Sequence, residues 1–586
     1  MRNRLCLSGL LGFLLGFQSW GFGATLEVSI TPKFSGQNIQ PASLRYHTAA
    51  GESFSFTRVS YLLSDFALQR ADGSWLEFAD SAAWFDFARN RDSFRLENIP
   101  SGDFRSVRFS LGLGTNLNHA DVAQFPAGHP LNPNVNGLHW SWQGGYVFLA
   151  LEGLWRNAAG QFDGWAYHLA RDTNCTRVTL AAPLEISNET RIEMDFDLAS
   201  LLLSFARDGS SSHSRDGDAI AASLVANLPG AFRVQRVSTI LHEAIAAAPP
   251  KPLYLPAQFT PYPFKTGATF PMPDLPRDNP LTVERVALGE DLFHETSLSR
   301  DGSISCASCH KANAAFSDPR RFSAGVRNQL GVRHAMPLLN LAWKHEFFWD
   351  GRAPSLRAQT LMPIQDHAEM DESLKNGAAK LAARTRYSAA FQAAFGSTEI
   401  TPEKISLALE QFLLTLTSFD SKFDRAMRGA EKMSAEEKRG FQLFSTEYDP
   451  RRGQFGADCF HCHGGMLFQS QTFANNGLDV KFADMGRAKV TGKDSDRGKF
   501  AVPSLRNVEL TGPYMHDGRF ARLEEVVAHY CTGVKRSATL DPNLAKHPNG
   551  GVPLTETDQK ALVAFLKTLT DESLRPSRQG QLSRNP

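Results

Sequence analysis

Two short strings in this 586-residue chain carry recognisable chemistry: Cys306-Ala307-Ser308-Cys309-His310 and Cys459-Phe460-His461-Cys462-His463. Two thiols three residues apart can take the two vinyl groups of one haem, and the adjacent histidine then turns in as the proximal iron ligand. Zinc sites also use Cys-x-x-Cys pairs, but repetition of the full five-residue string favours haem. The expectation is two covalently attached haem c groups on Cys306, Cys309, Cys459 and Cys462, with His310 and His463 on the irons.

The compartment fits. Arg2 and Arg4 precede an apolar run from Leu5 to Phe17 and a small-residue stretch ending at Ala24, the order of a secretory signal. The run falls short of the about 20 apolar residues of a bilayer span, and no other segment is apolar enough, so the mature chain is read as periplasmic with no membrane span; an uncleaved anchor is the alternative. Of seven cysteines, Cys6 leaves with the signal and four sit in the two strings. Cys175 and Cys531 remain, as metal ligand, free thiols or each other's partner. With 62 basic against 61 acidic side chains, the chain lacks the basic excess of a nucleic-acid binder.

The elements that must position these residues differ between the two halves. Before residue 249 the pattern has period two: Leu26, Val28 and Ile30 share one face, as do Ile192, Met194, Phe196 and Leu198. Asp72-Gly73 between apolar runs is a hairpin signal. A β-rich, sandwich-like domain is expected, with a helical stretch around 220–247. Ten prolines between Pro249 and Pro280 mark a linker. Beyond it the spacing is helical: Thr401-Pro402 opens one helix, the Ser434/Glu437 capping box a second, and Leu562, Phe565, Leu566 and Leu569 form an apolar face. The expected organisation is signal peptide 1–23, β-rich domain 24–248, linker 249–280, mainly α domains 281–432 and 433–575, each with one haem, and tail 576–586.

Within the helical half, Phe348-Trp349-Asp350-Gly351-Arg352, Pro363-Ile364-Gln365 with Glu369-Met370, Pro503-Ser504-Leu505-Arg506-Asn507 and Pro513-Tyr514-Met515-His516-Asp517-Gly518 resemble the signature strings of bacterial di-haem cytochrome c peroxidases. The resemblance implies two cytochrome c-like domains with the active site between them. It implies Trp349 as a relay between the haems, Glu369 as the distal acid/base beside the first haem, and Gln359 and Pro363 around that pocket. A carboxylate can take a proton from peroxide and return it to the leaving oxygen. Where ordinary peroxidases carry a methionine on the second iron, this chain has Tyr530, with His529 and Met515 as alternatives. A tyrosine oxygen stabilises higher oxidation states of iron, and this choice resembles the MauG/MbnH-like subgroup, which oxidises tryptophan in a partner protein. The family's bridging calcium is implied at the carbonyls of Thr511 and Pro513, but His334 stands where an asparagine is usual.

The first half, through Ser60–Phe66, Leu111–Gly114, Asn118-His119, His139–Phe148, Glu152-Gly153 and Tyr167–Leu169, resembles the MbnP-type periplasmic domain. Some members of that family bind copper through histidines and a kynurenine made from tryptophan. Trp140 and Trp142 are the candidate targets, and His139 and His168 the candidate copper ligands, followed by His119 and His129. On a strand the two tryptophans share a face with His139 opposite. The leading expectation is a periplasmic di-haem oxidoreductase that uses hydrogen peroxide or oxygen, by way of high-valent haem iron, to convert tryptophan in its own N-terminal domain to kynurenine and so form a copper site. The alternatives are a cytochrome c peroxidase reducing hydrogen peroxide with electrons from a small redox protein, and a non-enzymatic electron-transfer or copper-holding protein.

Overall fold

The computed structural model describes residues 23–575, except 49–50, 127, 141–143, 157–161, 188, 204–213, 215–216, 241–252, 451–452 and 548. The signal segment through Phe22, the tail and Trp142 therefore lie outside the described residues.

The β-rich half is built from two sheets. In the smaller, Ala24–Phe34 runs parallel to Glu189–Asp197 with Val28 opposite Ile192 and Ile30 opposite Met194. The alternating faces read from sequence are inward: Leu26, Val28, Ile30, Ile192, Met194 and Phe196 are at most 1% exposed. The larger sheet centres on Arg58–Arg70 and Gly145–Arg156, and Phe162–Ala170 pairs with the latter. The Asp72-Gly73 turn joins Arg58–Arg70 to Trp75–Glu77 as expected. The helical stretch expected around 220–247 is shorter: Ala219–Ala231 is helix, and the β-branched Val234 and Val237 continue as the edge strand Phe232–Thr239.

Each helical module repeats one device. Val283–Phe293 crosses Pro402–Thr415 where a Cβ on Gly289 would lie 2.1 Å from the Ala408 carbonyl oxygen; Ala435–Phe444 crosses Glu556–Lys567 where one on Gly440 would lie 1.9 Å from that of Ala561. Only glycine lets the backbones approach so closely. Both expected caps form: the Thr401 side chain accepts from the Lys404 amide, and Ser434 and Glu437 close a capping box. The proline-rich stretch is no loose tether. Phe270 is buried in the first module's core, and Trp343 Nε1 donates to the Pro271 carbonyl at 2.6 Å.

The β-rich half and the second helical module are in contact. Leu154 joins Val534, Leu540 and Ala545 in a small shared apolar cluster. A Cβ on Gly164 would lie 1.8 Å from the Pro542 carbonyl oxygen, so strand backbone touches helix backbone. Arg536 Nη1 donates to Asp163 Oδ1 at 2.9 Å, and Arg89 Nη2 to the Gln471 carbonyl at 2.7 Å. Among the described residues no helix is long and apolar enough to cross a membrane.

Candidate functional site

The first attachment string forms the short helix Cys306–Cys309, closed by a Ser305/Ser308 capping box. His310 Nδ1 meets the Phe316 carbonyl at 2.9 Å, which orients the ring, and burial lowers its pKa, favouring the neutral ligand form. Glu369 follows the helix Leu356–Gln365 on a turn in which its amide donates to the Asp366 carbonyl at 3.1 Å and its carbonyl accepts from Val326 at 2.8 Å. It keeps partial access to solvent, yet burial, with Asp366 nearby, raises its carboxyl to about 7. Burial raises the thiols of Cys306 and Cys309, and the charge of Glu369 adds to that rise, so the carboxylate lies within electrostatic reach of the haem-attachment residues. Pro363 lacks the amide that would bond to the carbonyl of Gln359, one turn earlier, and its own carbonyl accepts from Met370 at 3.2 Å, fixing the turn that carries Glu369.

Trp349 is 9% exposed; its Nε1 donates to the His334 carbonyl at 2.8 Å and its carbonyl accepts from Ala501 at 2.7 Å. It shares the wall of a cavity with Cys459, Cys462, His463, Met515 and Tyr530, so the relay candidate and the second attachment string face the same space. His463 Nδ1 meets the Phe468 carbonyl at 3.2 Å, and burial lowers its pKa to about 4.

Tyr530 lies in a π-helical turn, His529–Gly533, a local widening common at functional sites. All three candidate ligands for the second iron converge on Asn476: its Nδ2 lies 3.4 Å from Tyr530 Oη and 3.3 Å from Met515 Sδ, and its carbonyl meets His529 Nε2 at 2.9 Å. The imidazole of His529 is thereby occupied, whereas Tyr530 and Met515 both line the cavity. Burial pushes the Tyr530 phenol far up, so ionisation there needs a cation such as iron.

The residues near Thr511 do not fit calcium. The imidazole of His334 bonds to Ser317 Oγ at 3.1 Å and to the carbonyls of Arg321 and Thr511. A nitrogen ring stands among the carbonyls that a hard cation would need.

In the β-rich half, Trp140 pairs with Gly145 and His139 with Tyr146. The His139 ring packs against Tyr146 with centroids 4.6 Å apart, and burial lowers its pKa to about 4. Trp140 instead joins two cores: its indole lies 6.4 Å from the His168 ring and 6.3 Å from Phe460, inside the second attachment string. His139, Trp140, His168, Phe460 and His461 line one small cavity. His119 is drawn to Asp172 at 3.2 Å, and His129 stacks on Phe125.

Strand register explains the polar side of this contact. Arg58 and Glu152 are direct cross-strand partners, and His168 opposite Ala150 is Glu152's diagonal neighbour. Arg58 Nη1 and His168 Nε2 each meet Glu152 Oε1 at 3.0 Å. Burial opposes the carboxylate's charge, but Arg58 and His168 hold it well below the usual range. The His168 ring lies 5.4 Å from that of His461, whose Nε2 meets Glu447 Oε2 at 2.9 Å. Burial opposes a charge on His461, but Glu447 and Asp458 raise its pKa to about 9. Lys546 bridges Glu447 and Asp458, and His547 Nε2 meets Asp458 at 2.8 Å. Sequence reasoning missed Phe460, His461, Glu447 and Asn476; the only signal was that Phe460 and His461 fill the spacer of a haem-attachment string.

Cys175 packs in the β-rich core and Cys531 in that of the second helical module, so they are not each other's partner; both are free thiols.

Comparison with known proteins finds a relative for each half of the chain. The profile of the di-haem cytochrome c peroxidase family matches residues 283–432, and the MbnP profile matches residues 23–217. Methylamine utilization protein MauG of Methylorubrum extorquens is 39% identical over 301 residues, spanning 51% of this chain and 81% of that protein. The chain belongs to the di-haem cytochrome c peroxidase family. Cytochrome c551 peroxidase of Nitrosomonas europaea is 32% identical over 315 residues, covering 52% of this chain and 86% of its own length. Among solved structures, a MauG-like protein associated with microbial copper homeostasis aligns with a TM-score of 0.49 at 31% identity, covering 55% of this chain and all of that one. The protein is thus a di-haem oxidoreductase of the MauG/cytochrome c peroxidase type that carries an MbnP domain at its N-terminal side.

Proposed function

We propose that the haem half oxidises Trp140 of the same chain to a kynurenine-type aromatic amine, in the periplasm, and that the product helps to hold copper. One observation carries this reading: Trp140 packs against Phe460, which lies between the two cysteines of the second haem-attachment string. Cys306, Cys309 and His310 would hold one haem; Cys459, Cys462 and His463 would hold the other, with Tyr530 as a further ligand to its iron. The haems supply an iron position for peroxide and the capacity to remove single electrons. The protein's own groups do the rest. Glu369, with its carboxyl near 7, accepts a proton from the incoming peroxide and returns it to the departing oxygen. Trp349, on the wall of the cavity beside the second attachment string, would carry charge between the two haems. Trp140 is the electron donor, reached through the Phe460 ring. Two molecules of hydrogen peroxide add two oxygens across the indole ring and leave as two of water, and one further water releases the formyl carbon as formate.

The test is mass spectrometry of the Trp140 peptide from peroxide-treated protein. A gain of two oxygens, followed by loss of the formyl group, supports the reading. An unmodified peptide together with sustained turnover against a reduced cytochrome supports instead a cytochrome c peroxidase, the reading favoured by Met515 Sδ sharing Asn476 with Tyr530.

A further inference from the structure

We infer that Asn476 selects the ligand of the second haem: its side-chain amide holds back the sulfur of Met515 and steadies the oxygen of Tyr530, so that tyrosine and not methionine meets the iron. The inference rests on the reading of Tyr530 as a ligand and names what decides it. Asn476 is then a positioning residue, acting through the two side chains it touches.

The sulfur fixes which way the amide points. A thioether accepts hydrogen bonds and donates none, so the atom of Asn476 that faces Met515 Sδ at 3.3 Å must be the nitrogen. The same nitrogen carries a second hydrogen and lies 3.4 Å from Tyr530 Oη, which makes the phenol oxygen the acceptor there. The two N–H groups act in opposite senses on the two candidates. A sulfur lone pair engaged with a donor is less available to a metal. An anionic oxygen in a cavity walled by Val502, Leu505, Val508 and Leu523 is stabilised by one.

The backbone leaves Asn476 little room to move. Its carbonyl meets the Nε2 of His529, the residue before Tyr530, at 2.9 Å. On one side, Asn475 Nδ2 donates to Ser537 Oγ at 3.0 Å and to Thr539 Oγ1 at 2.9 Å. On the other, the Gly477 carbonyl accepts from the Lys535 amide at 2.8 Å, and a Cβ on Gly477 would lie 2.6 Å from Val534 Cγ1. Residues 475–477 are thus fastened to the stretch that carries and follows Tyr530. Met515 sits at φ +74°, a left-handed conformation uncommon outside glycine. Its place opposite the amide is therefore specified by the turn as well as by the side chain.

The redox range of the haem turns on this choice. A tyrosine oxygen favours the higher oxidation states of iron, whereas a thioether raises the potential. One amide would set whether the second haem stores oxidising equivalents or takes in electrons.

The experiment uses the oxidised full-length di-haem protein. Resonance Raman and near-infrared magnetic circular dichroism distinguish tyrosinate from methionine on iron, and spectroelectrochemistry gives the midpoint potential. The wild type should show tyrosinate. Asn476→Leu keeps the size and removes both N–H groups; a methionine signature should appear, with the oxidised-to-reduced balance shifted about tenfold or more toward reduced, or about 59 mV upward for one electron. In Asn476→Leu/Met515→Leu the tyrosinate signature should return and the potential should fall to the wild-type value or below. Should Asn476→Leu lose the second haem, Asn476→Asp, which keeps the shape without either N–H, should give the methionine signature instead. Tyrosinate at an unchanged potential in Asn476→Leu, or tyrosinate in Asn476→Asp, overturns the inference and leaves Tyr530 as ligand. Methionine in the wild type overturns Tyr530 as ligand and the inference with it, while the Trp140 peptide is judged separately by its mass.

Discussion

The ring of Phe460 stands edge-on to the indole of Trp140, with centroids 6.3 Å apart, and belongs to the loop that carries both cysteines of the second attachment string. An oxidisable side chain of one half therefore touches the covalent anchor of the cofactor in the other. Phe460→Leu keeps an apolar side chain at this position and removes the aromatic bridge. The rate of Trp140 modification should fall about 10- to 100-fold, measured by timed mass spectrometry, while the initial reaction with peroxide is unchanged.

Glu369 gives a pH dependence with a defined sign. Its carboxyl, raised to about 7, is neutral below that pH and anionic above it. Accepting a proton from peroxide needs the anion, so the rate of the first reaction with peroxide should rise as pH increases through about 7. Glu369→Gln should slow it about 100-fold or more and flatten the profile, as stopped-flow absorption at several pH values will show. A wild-type profile with no inflection near neutrality would count against this role.

Tyr530 and Met515 compete for the same place beside Asn476. Tyr530→Phe removes the phenol oxygen and should change the absorption spectrum of one haem, leaving the other unaltered. Met515→Leu should leave both spectra as they are. The opposite pattern would make methionine the ligand.

Gly164 tests whether the contact between the halves matters. A side chain there would collide with the carbonyl of Pro542. Gly164→Val should wedge the strand away from the helix, with both haems retained by absorption and Trp140 modification falling about 100-fold. Modification at the wild-type rate would show that the packed arrangement is not the reactive one.

Arg506 and Asp424 form a bidentate ion pair at 2.8 Å, with side chains 1% and 2% exposed. Burial disfavours the Asp424 charge, but Arg506 holds its pKa below the ordinary value. Arg506→Ala leaves that carboxylate without its partner and should cost about 3–5 kcal/mol in denaturant unfolding. Because the Asp424 pKa is depressed, the pair's contribution is present above the ordinary carboxyl range and is lost as pH falls through the folded-state value.

Much of this was legible in the sequence because it is local. The two attachment strings are contiguous, the alternation of Leu26, Val28 and Ile30 is a strand's own period, and Thr401 and Ser434 cap helices that begin one residue later. The contact of Trp140 with Phe460 was not, because it joins residues more than three hundred positions apart through packing that no local pattern encodes. The same holds for the chain from Arg58 through Glu152 and His168 to His461, which needs strand register on one side and a haem-binding loop on the other. Trp140 and Trp142 were equivalent by alternation; the structure gives Trp140 a partner in Phe460, and Trp142 lies outside the described residues. The shortened helix after residue 219 shows a further limit, since the run from Phe232 onward suits either helix or strand until the edge of a sheet is there to accept it.

The backbone contact at Gly164 and Pro542 also fixes how the reaction should scale. Target and catalyst meet in every folded molecule, so their encounter is intramolecular and owes nothing to diffusion. The half-time of Trp140 modification at saturating peroxide should be the same in a dilute sample as in a concentrated one. On the proposed reading the target is built into the same polypeptide as its catalyst, so the reaction would be a maturation event whose stoichiometry is set when the polypeptide is made.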